Sequence, residues 1–482
     1  MTAKSRLRGR EAKSGLLVRH GLLRARPIQF AADLCARWLM PPICALCLIW
    51  PALWNGYPIV FSDTGTYLSQ AMHRYLGWDR PPFYSLFMLP LHLGLTTWPV
   101  ILAQSVLTVL TLDLTRRAFG VSRWWLPVLT VFLAAATWLP WIVSELMPDL
   151  FTPLLVLLLT LLVFARPRFR PWDRVAIGVV AAFMITTQQS SVPLACGLLA
   201  VLIPMQWFFV RLRVAPRTRL RSRAMLTALS PLLVPVSAIA ALVAVNSVGF
   251  GRLSLSPYGN VFVLARVIYD GPGMTVLRRH CPDRGWLLCP YLDRFPPSVD
   301  AFLWASDSPI MLAGGHKAVS ADAGAIIRMA MTADPGTLLA AGWNNTIEQL
   351  TRFASGDGLE RDWTAQAGTW IDRDFPPRES AAFHAARQQA GLLEVPPALA
   401  TVHRAAALAG IAAALVLLPL AWRRRHVATW FLAVSLLTLP LSAAITGALS
   451  SPHDRYQSRI VWLPAAMALL TLPVVFPRRR RR

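Results

Sequence analysis

The sequence predicts an all-α polytopic membrane protein of about ten transmembrane helices with a mostly helical extracytoplasmic domain. Three observations carry that prediction. The 482-residue chain is 55% hydrophobic, with a mean hydropathy of +0.47. Only 15% of its residues are charged, against roughly 25% in a soluble domain. Its Lys and Arg, which give a formal net charge of +24, gather in alternate connections between apolar segments, as the positive-inside bias requires.

In chain order, residues 1–36 form a basic tail without the apolar core and small-residue cleavage site of a secretory signal. Residues 37–246 make an N-terminal transmembrane module of about seven spans, each close to the roughly 20 residues that cross a bilayer core of about 30 Å. They start near Arg37, Trp98, Arg123, Asp149, Asp173, Ser190 and Ala224. Residues 402–477 supply about three more spans, near Val402, Val427 and Ile460, and 478–482 close the chain as a basic tail. The loops "TRRAFGVSR", "RPRFRPWDR", "RLRVAPRTRLRSR" and "WRRRH" are basic, whereas "SELMPD", "TQQSS" and "SSPHDR" are not. Both termini therefore come out cytoplasmic, and loops 55–97 and 142–149 face outward. Phe83 to Thr97 is short, with Pro90 inside it, and reads as an interfacial helix. Counting it as a span would invert every later loop.

Residues 247–401 are long enough for a small domain. Turn-rich stretches such as "GFGRLSLSPYGN" give way to amphipathic helical patterns, which Pro335 and Gly336 divide into two helices. Cys281 and Cys289 are the only cysteines outside apolar helices. Their spacing in an oxidising compartment suits a disulfide, with free thiols or a metal site as alternatives, although only His280 offers a further ligand.

Three outward loops carry the candidate chemistry. In the first, Asp63 precedes a helix with an apolar stripe of Tyr67, Leu68, Ala71, Met72, Tyr75 and Leu76, and Asp79, Arg80 and a Pro-Pro pair follow. Asp63 or Ser62 could be a helix N-cap. "DRPP" could likewise be a helix start. The second loop holds Glu145 and Asp149, spaced i and i+4, which would face the same way on a helix. Asp149 also suits a helix N-terminus. The third, "SSPHDRYQSRIVW", holds His453, Asp454, Arg455 and Arg459. Arginines on the outer side run against the positive-inside bias and suggest an anionic partner, with lipid phosphate foremost; snorkelling to headgroups or pairing with Asp454 is the alternative. Carboxylates from two loops and guanidinium groups from the third could together take a proton, hold a cation or stabilise a departing phosphate.

This order of features resembles the GT-C class of membrane glycosyltransferases: an apolar span, an outward Asp followed by "TGTY", an interfacial helix, "DRPPFYSLF", a second span and an acidic outward loop before the fourth. "DRPPFYSLFMLP" is similar to the "KPPL" type of segment in relatives that modify lipid A or mannosylate proteins. The likeness covers roughly the first 165 residues at the level of pattern. It implies transfer of a sugar from a polyprenyl-phosphate donor to an acceptor glycan, lipid or protein, in a bacterial inner membrane. Asp63 would then be the catalytic base, and Glu145 or Asp149 the second acid. Arg455 and Arg459, with His453, Arg80 and Tyr67, are placed at the donor phosphate and substrate by chemistry and location. A divalent cation, Mg or Mn, on Asp63 and Asp149 stays open, because Thr64 stands where many relatives carry a second acid. The large outer domain also lies between the seventh and eighth spans rather than at the C-terminus.

A non-enzymatic membrane protein is the competing class, either a carrier of lipid-linked glycans or an assembly factor. The spans carry almost no ionisable residue at mid-depth, which speaks against a solute pathway, and "TTQQSS" is the exception. No nucleic-acid partner is expected, since the basic runs border spans and lack interleaved aromatic residues.

Overall fold

The computed structural model describes residues 39–213 and 228–477. Both basic tails, Cys35 and most of "RLRVAPRTRLRSR" lie outside the described residues. The protein is all-helical, with no strand among the described residues. Many helices begin with proline in the first turn, where its missing N–H is not needed.

Among the described residues, six helical stretches are long and apolar enough to cross a membrane: Trp98–Phe119, Ser191–Phe208, Ser230–Phe250, Pro397–Arg423, Ala428–Leu449 and Asp454–Val475. The other four expected segments are shorter or broken. The first is split into α1 (Met40–Leu48) and α2 (Trp50–Asn55) at Ile49, which leaves helical geometry just before Pro51. After α3 (Ser62–His73), α4 (Phe83–His92) and α5 (Trp98–Phe119), the next is divided at Thr137 into α6 (Trp125–Ala136) and α7 (Leu139–Ser144). The remaining two are α8 (Phe151–Phe164) and α9 (Pro171–Thr186). At 1.5 Å per residue α8 is about 21 Å long, less than the hydrocarbon core.

Every residue of α8 from Phe151 to Val163 is buried. A helix apolar on all sides belongs at the centre of a bundle, and α8 is ringed by α5, α9, α10 (Ser191–Arg213) and α21 (Ala428–Leu449). Outside this ring stand α11 (Leu233–Phe250), α20 (Pro397–Arg423) and α23 (Leu463–Val475), which α22 (Asp454–Ser458) precedes.

Segment 247–401 divides between two cores. The first part packs α12 (Asn260–Tyr269), α13 (Pro272–Arg284), α14 (Val299–Trp304), α15 (Pro309–Leu312) and α16 (Gly315–Ala333) around Val261, Leu264, Phe302, Val319 and Ile326. A Cys281–Cys289 disulfide staples this body. Trp78 of the first loop enters the same core, stacked on His316 at 4.1 Å. The second part follows α17 (Pro335–Thr351) and contains α18 (Ala365–Asp374) and α19 (Pro377–His384). Its Leu359, Ile371, Phe375 and Phe383 belong to the core of the membrane module.

Helix α3 consequently does not lie on an open surface. Thr64 to Gln70 are buried, because α18 covers one side and α4 the other. Gly65 is close enough to Gln366 that a Cβ would stand 2.8 Å from its carbonyl oxygen.

Candidate functional site

The loop ends of the bundle are knitted together by backbone before any charge is placed. Ile59 and Glu145 form an isolated parallel bridge: Ile59 N–H donates to the Ser144 carbonyl and Leu146 N–H to the Ile59 carbonyl, each at 2.9 Å. Gln104 Nε2 donates to the Glu145 carbonyl at 2.8 Å and to that of Val143 at 3.0 Å. Glu145 therefore has extended backbone, and Pro148 opens a 3-10 turn holding Asp149. The two acids do not share a helix. They face the same group because the bridge and the turn aim them there.

That group is Arg455. Its Nη2 lies 3.0 Å from Asp149 Oδ2 and 3.7 Å from Glu145 Oε1. Arg459 Nη1 donates to Asp149 Oδ1 at 2.7 Å and also to Gln188 Oε1 at 3.2 Å. Asp149 is 3% exposed and Arg459 2%, so this carboxylate is held between two guanidinium groups away from water. The expected free arginines are thus internally paired, with Asp149 rather than with Asp454, which accepts from the Ala354 N–H at 2.7 Å. Arg455 Nη1 and Arg459 Nε are nonetheless buried with no hydrogen-bond partner among the described residues. Spare buried donors of this kind are what an anion would engage.

Burial pushes the Glu145 carboxyl up to about 8, Arg455 opposing the shift and the negative Asp149 reinforcing it. It therefore holds its proton more tightly than an ordinary carboxylic acid does. Asp149 and Asp357, the latter bonded to the Arg455 backbone, are the carboxylates set against the two guanidinium groups.

Asp63 stands beside this cluster, near enough to act electrostatically on Glu145 and Arg455. It is not the N-cap of α3, and neither is Ser62. Phe61 occupies that position, and its N–H donates to Thr64 Oγ1 at 2.9 Å. The Asp63 carboxylate instead receives a bidentate fork from Arg80, Nε to Oδ2 and Nη2 to Oδ1, both at 2.8 Å. Arg80 also lies over the Trp304 ring, 5.8 Å from its centroid. Tyr67 is buried against Tyr84 and cannot reach a ligand without rearrangement. His453 sits 3.2 Å from Asp300 of α14, and that contact raises its pKa above the ordinary value.

Sequence reasoning missed three contributors. Gln188, from the "TTQQSS" that reads as a break between spans, joins Asp149 and Arg459. Asp357 Oδ2 accepts the Arg455 N–H at 2.9 Å. Phe61 carries the Arg455 guanidinium 3.7 Å from its ring centroid and packs on Trp363 behind. Gly358 closes this layer: its φ is +93°, and a Cβ would stand 3.0 Å from the Phe61 ring, so both backbone and space call for glycine.

The site suits a cation poorly. Both oxygens of Asp63 and both of Asp149 already receive guanidinium N–H groups, and among the described residues no three His, Cys, Asp or Glu side chains are grouped to hold a metal. The fold and site together define a helical membrane protein with a buried charged cluster at one end of its bundle. Comparison with known protein families, curated proteins and solved structures finds no match.

Proposed function

We propose that this protein is a membrane glycosyltransferase of the GT-C type, with about ten membrane segments counting its short and broken helices. In this reading it moves a sugar from a polyprenyl-phosphate donor to an acceptor on the outer face of a bacterial inner membrane. The supporting observation is the convergence of Arg455 and Arg459 on Asp149, with a buried nitrogen on each arginine that has no partner among the described residues. The donor phosphate would take up those nitrogens in charge-assisted hydrogen bonds.

The acceptor hydroxyl oxygen attacks the anomeric carbon as the bond from that carbon to the phosphate oxygen breaks. The phosphate leaves with the bonding pair, held by the arginines, and configuration inverts. The hydroxyl proton passes to Asp63, whose oxygens each keep a lone pair beyond the bond from Arg80. Arg80 holds the carboxylate in place.

One observation favours the second reading, a non-enzymatic carrier or assembly factor: the same Arg80 fork neutralises the proposed base. Mass spectrometry of lipids that co-purify with the detergent-extracted chain separates the two. A polyprenyl-phosphate species enriched with wild type and lost in an Arg455→Ala, Arg459→Ala double variant supports the donor site. Bulk phospholipid alone in both moves the assignment to the non-enzymatic reading. Arg455→Lys, which keeps the charge without the fork, guards against loss by misfolding.

A further inference from the structure

Helix α17 belongs by sequence to the segment expected outside the membrane, yet one of its faces is built onto a candidate membrane span. Gly342 meets Ala448 near the end of α21. Gly447 is so close to α17 that a Cβ there would stand 2.6 Å from the Asn345 carbonyl oxygen, so only glycine allows this approach. One turn further on, Gln349 Nε2 donates to the His453 carbonyl at 2.8 Å, and its Oε1 accepts the His453 N–H at 2.9 Å. These contacts set the roll of the helix. Positions 342, 345 and 349 face inward.

The opposite side presents Leu339, Trp343 and Ile347, four residues apart, at 75%, 66% and 45% exposure. Leu449, at the end of α21, adds a fourth exposed apolar side chain. No Lys or Arg occurs in α17, and its single acid, Glu348, is paired with Arg352 at 2.8 Å. Burying large apolar side chains away from water is favourable. Leaving three in a row to water would forgo that gain.

We propose that α17 lies in the membrane interface, with Leu339, Trp343 and Ile347 set into the boundary between headgroups and acyl chains. The occupant of this face is lipid because its other face rests on the last turns of α21, a helix long and apolar enough to cross the membrane. Trp343 suits the headgroup level, where an amphipathic ring is favoured. Lacking basic residues, the helix needs no anionic lipid, unlike a basic amphipathic anchor. The inference is independent of the proposed catalytic activity.

Spin-label accessibility of the full chain tests this. Cys35, Cys44, Cys47 and Cys196 are replaced by alanine, the Cys281–Cys289 bridge is kept, and nitroxides are attached in turn at Leu339→Cys, Trp343→Cys, Ile347→Cys and, as the water-facing control, Lys317→Cys. The chain is measured in phosphatidylcholine nanodiscs with and without phosphatidylglycerol. The expected result is an oxygen-to-nickel-chelate accessibility ratio several-fold higher at the three α17 positions than at Lys317→Cys, the same in both lipids. Nickel chelate reaching position 343 as readily as 317 overturns the proposal. Exclusion of both reagents also overturns it, showing a second copy or another protein on this face. Brominated-lipid quenching that is larger for wild type than for Trp343→Phe gives the same reading without engineered cysteines, and equal quenching counts against it.

Discussion

Replacing Asp149 by Asn removes the one charge that both site arginines share. At an effective dielectric constant of 20, a pair at 2.7 Å is worth about 6 kcal/mol and one at 3.0 Å about 5.5 kcal/mol before desolvation is subtracted. Breaking a buried pair by deleting one partner leaves a net cost of about 3–5 kcal/mol. Asp149→Asn is expected within that range, because two buried guanidinium groups lose the carboxylate they share, while loss of the Asp149 charge also eases ionisation of Glu145. The assay is equilibrium unfolding in mixed micelles, followed by tryptophan fluorescence. The double variant Asp149→Asn, Arg459→Gln removes the stranded cation as well and should be less destabilised than the sum of the single changes by about 2 kcal/mol. An Asp149→Asn protein within 1 kcal/mol of wild type (roughly a fivefold change in the folded ratio) would refute the reasoning and mean that the arginines are solvated.

Because burial raises Glu145 from its ordinary 4.5 to about 8, the folded state holds a proton that the unfolded chain releases. Stability should fall as pH rises from about 4.5 to about 8 and then level off, whereas Glu145→Gln should lose that component of the pH profile. Asp63→Asn should abolish transfer while the chain remains folded and inserted; radiolabelled sugar transfer and size-exclusion chromatography report the two. Opening the Cys281–Cys289 bridge, which closes a loop at a sequence separation of 8, should cost the stapled body roughly 2.5 kcal/mol. Limited proteolysis should then cut within 258–330 before it touches the bundle. Reporter fusions at Gly358 and Arg424 should read outside and inside respectively, and the reverse pattern contradicts the orientation assigned to the site.

Periodicity and loop charge mark where helices begin, because a lipid-facing helix has to be apolar along its length and proline marks its first turn. They do not mark where a helix stops being long enough. The apolar run after Arg123 continues through Thr137, where the backbone turns extended, and α8 is as apolar as a span while being too short for one. Such a helix is surrounded by protein, and burial in protein asks for the same composition as burial in lipid. The four charged members of the cluster were legible as residue types out of place: acids and arginines at span ends. Their pairing was not, because it depends on the Ile59–Glu145 bridge and on Gln104, and no local spacing encodes either. Gln188 reads as a break for the same reason, being a polar residue whose partner is 39 positions away.

The Asp149–Arg459 pair also bears on biosynthesis, since its members are separated by 310 residues. At about 5–20 residues per second, Arg459 is made roughly 15 to 60 seconds after Asp149. Through that interval the acid sits at the head of an apolar helix without its cations, and a carboxyl so placed stays protonated or remains in water. The last hairpin of the chain therefore closes a vacancy that the first half opened. Any product ending before Arg455 carries an uncompensated acid at the loop end of its bundle, a defect by which quality control can distinguish an unfinished chain from a complete one.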